Sequence, residues 1–235
     1  MDISNQIALV SGANRGFGKE LAFELIARGA KVYAGARNPA LINLPGAIPL
    51  QLDITDSKSV AAAAEEAGDV TLLINNAGSS TGASLLTGKL EDIELEFQTH
   101  VFGTLSMIRA FAPVIEANGG GTILNVLSAL SWLSIDDDGA YSAAKAAEWG
   151  MTNALRLNLA PHQVKVAGLH LGFMDTDMTA NVKMPKADPK EIARIAIDGI
   201  SDEQYEILAD ELSRKVQYGL AGGVKALYPA LFQKA

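Results

Sequence analysis

Two rhythms of apolar and polar positions take turns along the chain. Short, nearly continuous apolar runs occupy Gln6–Val10, Lys31–Ala36, Ile48–Leu52, Thr71–Ile74, Thr122–Val126, Val164–Leu169 and Tyr205–Leu208. Near-continuity rather than strict alternation is the mark of parallel strands buried on both faces. Between these runs, apolar residues recur at helical spacing over Gly16–Arg28, Ser57–Ala67, Leu90–Ala117, Tyr141–Leu159 and Pro189–Ile200, and a last helical stretch begins near Glu211. Strand and helix in turn imply right-handed crossovers and a parallel sheet with helices on both faces. The expected fold is a doubly wound, Rossmann-type α/β sheet of seven strands. No repeat, linker or low-complexity tract breaks the pattern, so residues 1–235 are read as one domain. The polar stretch around Pro185, Asp188 and Pro189 is either a flap over a site or an ordinary surface loop.

Composition narrows the function classes. Hydrophobic residues make up 49% of the chain and charged residues 20%, which is ordinary globular usage. A formal charge of −8 argues against nucleic acid, whose binding needs a basic face. The absence of cysteine excludes a disulfide framework and thiolate metal sites. His100, His162 and His170 show no ligand spacing, and Asp136-Asp137-Asp138 reads as a solvated loop, so no metal is expected. Met1-Asp-Ile-Ser-Asn has no basic segment leading into an apolar one, unlike a signal peptide. No apolar run approaches the roughly 20 residues of a membrane helix. A soluble, cytoplasmic protein is expected.

Candidate chemistry begins where the first strand meets the first helix. Ser11-Gly-Ala-Asn-Arg-Gly-Phe-Gly18 places Gly12, Gly16 and Gly18 in the spacing G-x-x-x-G-x-G. Glycine permits a sharp turn and a close approach of backbone to phosphate. The helix N-terminus adds unpaired N–H groups and a partial positive charge. Such glycines also occur as mere packing devices, but the strand–loop–helix context favours a dinucleotide. NAD folds usually carry an acidic residue at the end of the second strand; here Gly35-Ala-Arg37 stands there. Arg15 and Arg37 together suit a 2′-phosphate, through charge-assisted hydrogen bonds. NADP(H) is therefore preferred over NAD(H), the alternative being two solvated arginines.

A second constellation lies further on. Tyr141 and Lys145 are one helical turn apart and share a face. Ser128 ends the fifth strand, on the edge where open parallel sheets bind ligands. Tyrosine titrates near 10 in water. A neighbouring ammonium favours tyrosinate and moves the group toward the range useful for acid–base catalysis.

With these motifs in order, the chain resembles the short-chain dehydrogenase/reductase family in its classical form, from Ile7 to about Asp210. The further matching pieces are Leu52-Asp-Ile54, Asn75-Asn-Ala-Gly78 and Gly172–Thr176. The resemblance implies strand order 3-2-1-4-5-6-7, NAD(P)-dependent oxidation or reduction of alcohols and carbonyls, and a homodimer or homotetramer. It gives Gly12, Asn14, Arg15, Gly16, Phe17 and Gly18 the pyrophosphate, Asp53 and Ile54 the adenine, and Asn76, Ala77 and Gly78 the inner cofactor wall. Tyr141 would be the general acid or base. Ser128 would bond the substrate oxygen, Lys145 would bind the nicotinamide ribose and lower the tyrosine pKa, and Thr176 would meet the carboxamide.

Three positions depart from the family pattern. His100 stands where asparagine is usual, and either supports proton delivery or merely packs. Leu171 replaces a proline and is expected to loosen the turn before Gly172. Ser11 replaces a threonine and keeps its hydroxyl. The long helix from Tyr141 carries Trp149, Met151, Leu155 and Leu159, more apolar surface than one sheet face should bury, which points to a subunit interface.

The loop Ala129–Ile135 with Trp132, together with Phe173, Met174, Met178 and Met184, is apolar like a small-ligand pocket. An apolar or aromatic ketone or aldehyde is expected, unless Trp132 and the methionines only pack a subunit surface. Two other classes stay open. One is a cofactor-binding redox sensor or scaffold, which has no need of Ser128, Tyr141 and Lys145. The other is an epimerase or dehydratase of the same fold.

Overall fold

In the computed structural model, which describes residues 1–233, the strands are β1 (Ile7–Ser11), β2 (Lys31–Ala36), β3 (Ala47–Gln51), β4 (Leu72–Asn75), β5 (Gly121–Val126), β6 (Val164–His170) and β7 (Glu206–Leu208). All pair in parallel in one sheet of order β3-β2-β1-β4-β5-β6-β7. This is the seven-stranded, doubly wound order expected. The helices are α1 (Gly16–Ala27), α2 (Ser57–Glu66), α3 (Leu90–Phe97), α4 (Thr104–Ala117), α5 (Gly139–Leu159), α6 (Pro189–Ser201), α7 (Glu211–Gly219) and α8 (Gly223–Leu227).

Successive side chains of a strand point to opposite faces, and the core divides accordingly. Ala8 and Val10 of β1 pack with Leu21 and Leu25 of α1 and Ala196 and Ile197 of α6. Leu9 between them packs on the other face, with Val60 of α2 and Met107, Phe111 and Ile115 of α4. The central strands therefore read as continuous apolar runs. Edge strand β3 does not: only Leu50 is buried there, and Pro49 is tolerated because an edge needs fewer ladder bonds.

The helix expected over Leu90–Ala117 is two helices joined by a π-helical segment, Gln98–Gly103. Its buried positions here are polar (Glu96, Thr99, His100 and Thr104), so apolar periodicity could not register the extra residue. Gly103 lets the segment approach β3's neighbourhood; a Cβ there would stand 2.9 Å from Ile54 Cδ1.

The apolar residues of α5 are also placed differently from expectation. Trp149 packs beside Trp132, and Leu155 and Leu159 pack against the core below the sheet. The exposed apolar side chains nearby are Phe102, on the π segment, and Leu157, on α5. Asp188 caps α6, with Pro189 as its first residue, which fits the fixed proline φ. The chain from Gly172 to Asp188 folds back on itself through a Met174–Ala187 bridge. It runs along the cleft described next, as a flap does. Among the described residues, no helix is long and apolar enough to cross a membrane.

Candidate active site

The loops that leave the carboxyl ends of the strands enclose a cleft of about 820 Å³. Open α/β sheets bind ligands on this edge. Gly12 (φ +69°) and Gly16 (φ +53°) take left-handed conformations that other residues avoid. A Cβ on Gly18 would collide with Gly12 O and Asn76 Nδ2. No side chain caps α1 at Arg15, and no acidic residue stands in its first turn. The positive end of α1 thus lines the cleft, with Asn14 and Arg15–Gly18, and no side chain bonds its first N–H groups. A phosphate-bearing cofactor fits this cradle.

Ser11 ties the cradle to the next wall. Its Oγ accepts from Asn76 N and Ala77 N, each at 3.0 Å, while Asn76 Nδ2 donates to Ser11 O at 2.9 Å. The hydroxyl kept at this position is therefore in use. At the outer end, Arg37, Asn38, Leu41, Asp53 and Ile54 border the cleft. Thr55 bonds hold the Asp53 carboxyl below its usual range against some burial, with a smaller contribution from Arg37. Arg15 differs from its expected place beside Arg37: its guanidinium lies 3.4 Å from Asp177, across the cleft mouth. Both partners of this pair are mostly exposed, so it is a weak latch between the glycine loop and the flap.

At the inner end the sequence-derived residues Ser128, Tyr141 and Lys145 all line the cleft, as do Gly78 and Thr176. Ser128 is buried just past β5, and its Oγ accepts from Leu130 N at 3.1 Å, which leaves its own hydrogen free. Lys145 is buried, and Nζ donates to Val126 O at 2.7 Å and to Glu148 Oε2 at 2.6 Å. One of its three hydrogens remains for the cleft. Burial opposes the charge on Lys145, but Glu148, Tyr141 and Glu96 outweigh it, and the ammonium is held more firmly than usual.

The expected lowering of the Tyr141 pKa is not found. Burial pushes the phenol up, Lys145 and the nearby Ser128 hydroxyl pull it down, and Glu148 and Asp138 push it up again, for a net rise. The first physical reason is burial; the second is Glu148, which sits against Lys145 and offsets part of its field. Tyr141 is half-buried and lines the cleft.

His100 is buried and meets Tyr141 edge-on, with ring centroids 5.1 Å apart. Leu171 is buried, Ala129 N donates to its carbonyl at 2.8 Å, and Gly172 N donates to Asp210 Oδ2 at 2.5 Å, so the backbone on the carboxyl side of Leu171 is hydrogen-bonded.

The apolar side chains that line the cleft include Leu95, Leu130, Phe173, Met174, Met178, Val182 and Leu212. Trp132 is not part of it; it stacks on His170 with centroids 3.7 Å apart. Met184 does not line the cleft and is exposed. Leu95, Val182, Leu212 and Glu148 carry no local motif that marks them.

Residues 6–187 match the family profile described as short chain dehydrogenase. The chain belongs to that family. Its members bind a nicotinamide cofactor, and this protein is an oxidoreductase by the same assignment. It is 36% identical over 180 residues to the 3-ketodihydrosphingosine reductase of Bacteroides thetaiotaomicron, covering 75% of this chain and 66% of that one. A short-chain dehydrogenase from Burkholderia cenocepacia, solved in complex with NADP, superposes with a TM-score of 0.94 at 37% identity over 100% of both chains. A short-chain dehydrogenase/reductase from Burkholderia phymatum, solved in complex with NAD, shares the fold with a TM-score of 0.84 at 21% identity, covering 100% of this chain and 97% of that one.

Proposed function

We propose that the protein is a cytoplasmic NADP(H)-dependent reductase or dehydrogenase that transfers hydride between nicotinamide and an apolar or aromatic carbonyl or alcohol. The reading treats the whole chain as one NAD(P)-binding domain working as a homodimer or homotetramer. The observation that carries it is the convergence of Ser128, Tyr141 and Lys145 on one cleft with the uncapped helix α1.

When bound, the nicotinamide supplies or accepts the hydride. The chain's own groups manage the proton and the orientation. Tyr141 gives its phenolic proton to the carbonyl oxygen in reduction and recovers it in oxidation. Ser128, whose oxygen already accepts from Leu130, donates its free hydrogen to the same substrate oxygen. Lys145 holds a positive charge beside the phenol and keeps one N–H for a ribose hydroxyl. Arg37 is the residue placed to bond a 2′-phosphate at the outer end of the cleft. The cations that line the cleft, Arg15, Arg37 and Lys145, belong in this reading to the cofactor or the flap, which leaves apolar side chains for the substrate and favours a neutral one.

NADPH oxidation followed over a panel of aliphatic and aromatic ketones and aldehydes tests this reading. Turnover with at least one apolar carbonyl, absent in Tyr141→Phe, is expected. No turnover with any panel member would overturn it.

A further inference from the structure

Asp138 lines the cleft beside the catalytic trio, and neither the fold nor the reductase reading gives its carboxyl a task. Its neighbours Asp136 and Asp137 are exposed, as a solvated loop would be, but Asp138 is half-buried. It stands at the N-cap of α5, where an aspartate usually accepts from the second or third N–H of the helix. Here the side chain makes no cap bond. Ala140 N donates instead to Ala83 O at 3.1 Å, in the loop after β4. The carboxyl is thus released from its local duty. Oδ2 is 3.4 Å from Ser80 Oγ, a long contact to an exposed side chain, and Oδ1 is buried with no protein partner.

A buried carboxyl oxygen without a donor is costly. Burial and the nearby Glu96 push the Asp138 carboxyl up, and Ser80 and His100 offset only part of this. Glu96 itself is occupied, accepting from Ser79 Oγ at 2.9 Å and from Thr81 N. Position adds to the case. Asp138, Tyr141 and Lys145 are spaced i, i+3 and i+7, so they share one stripe of α5. With Lys145 taking the nicotinamide ribose, the side of Tyr141 toward Asp138 is left for the substrate. Three residues of helix rise about 4.5 Å. That is the reach of a group one or two carbons away from a carbonyl whose oxygen meets Tyr141. Leu95 and Leu130 line the same cleft and supply an apolar setting.

We propose that Asp138 recognises the substrate by accepting a hydrogen bond from a hydroxyl one or two carbons from the reacting carbonyl. The substrate is then a hydroxy ketone or hydroxy aldehyde with an apolar remainder, and in the oxidising direction the corresponding diol. The inference rests on the reductase reading and narrows it. The neutral substrate favoured there leaves a hydroxyl, rather than an ammonium, as the donor. A carboxylate at the same place would meet the like charge of Asp138 and be rejected.

The test has a kinetic arm and a binding arm. The first follows NADPH-dependent reduction of an aliphatic ketone, its analogues with a hydroxyl on the first or second carbon beside the carbonyl, and the matching keto acid. In the parent, kcat/KM for the better hydroxy ketone should exceed that for the plain ketone at least about tenfold. Asp138→Ala should bring that ratio to within about twofold of one. Asp138→Asn keeps an accepting oxygen but loses the charge, and should lower the ratio at least about threefold while retaining part of it. The ratio cancels any general effect of the Asp138 charge on Tyr141, which both ketones share. The binding arm needs no turnover. In the complex with NADPH an alcohol cannot be oxidised, so calorimetry can compare the diol with the matching mono-alcohol. The diol should bind at least about fivefold tighter in the parent and equally in Asp138→Ala.

Should Asp138→Ala fail to fold, Asp138→Asn carries both arms. An active parent that reduces plain and hydroxy ketones equally well, or prefers the keto acid or an amino ketone to the hydroxy ketone, would overturn the inference alone. So would a hydroxyl preference that survives in the folded variants. A parent inactive toward every carbonyl would remove the reductase reading. A diol preference abolished in Asp138→Ala would then still establish the recognition site, and without that preference both readings fall.

Discussion

Gly78 lies so close to His100 that a methyl group on it would stand 2.8 Å from the imidazole Cε1. The glycine at the end of the fourth-strand motif therefore also makes room for the ring beside Tyr141. Gly78→Ala should displace His100, cost about 1–3 kcal/mol of stability as an overpacked core site does, and lower kcat. Denaturant unfolding together with NADPH turnover checks this. Parental stability and rate in the variant would show that the ring is free to move aside.

Tyr141→Phe keeps ring and packing and removes the transferable proton. The expected loss in kcat is on the order of a hundredfold or more, the usual scale for a positioned acid–base group, with NADPH binding nearly unchanged. Lys145→Met should damage both turnover and cofactor binding. Steady-state kinetics with fluorescence titration of NADPH separates the two. A Tyr141→Phe protein working at the parental rate would leave the fold and family intact but end the proposed mechanism.

NADPH should bind at least about tenfold tighter than NADH, equivalent to about 1.4 kcal/mol. Arg37→Ala should remove most of that preference. Arg15→Ala should matter less, because Arg15 already faces Asp177 rather than the outer end of the cleft. Calorimetry of both cofactors against both variants decides it. Equal affinities in the parent would sink the assignment of Arg37 to a 2′-phosphate.

Glu206 ties β7 to its surroundings. The nearby His170, then Trp149 and Arg156, hold its carboxyl down from 4.5 to about 2, against the upward push of burial. Trp149 Nε1 and Arg156 bond it at 3.2 Å, whereas His170 Nε2 stands 3.8 Å away, beyond hydrogen-bonding reach. A depressed carboxyl stabilises the fold above its unfolded value and loses that contribution as pH falls through the folded value. Stability should decline from about pH 4.5 toward pH 2. Glu206→Gln should cost on the order of 1–3 kcal/mol at neutral pH and flatten this acid limb. Thermal melts across the range would show parallel acid limbs if the carboxyl has no such role.

Phe102 and Leu157 are 54% and 79% exposed, on two elements that pack against each other. Covering them in a homodimer or homotetramer removes apolar area from water. Light scattering at micromolar concentration should give at least twice the chain mass. Phe102→Glu with Leu157→Glu should give a monomer. A parent already monomeric would exclude this interface.

The alternation of strands and helices and the shared face of Tyr141 and Lys145 were legible in the sequence because each is encoded locally, whereas the strand order came with the family resemblance. Apolar runs set the strands, and helical spacing puts Tyr141 and Lys145 on one face. Glycine spacing marks the left-handed turns at Gly12 and Gly16. What tertiary structure alone decided is which side chains meet across the fold. Nothing near Glu148 in the chain says that it is buried against Lys145 and opposite His100; that follows from packing α5 against the π segment. Trp132 reads as a pocket residue until β6 brings His170 beneath it. Nothing near Arg15 in the chain says that Asp177, 162 positions away, stands within reach of its guanidinium. A local pattern fixes backbone path and face, whereas the field at a titrating group is set by the charges that packing places around it.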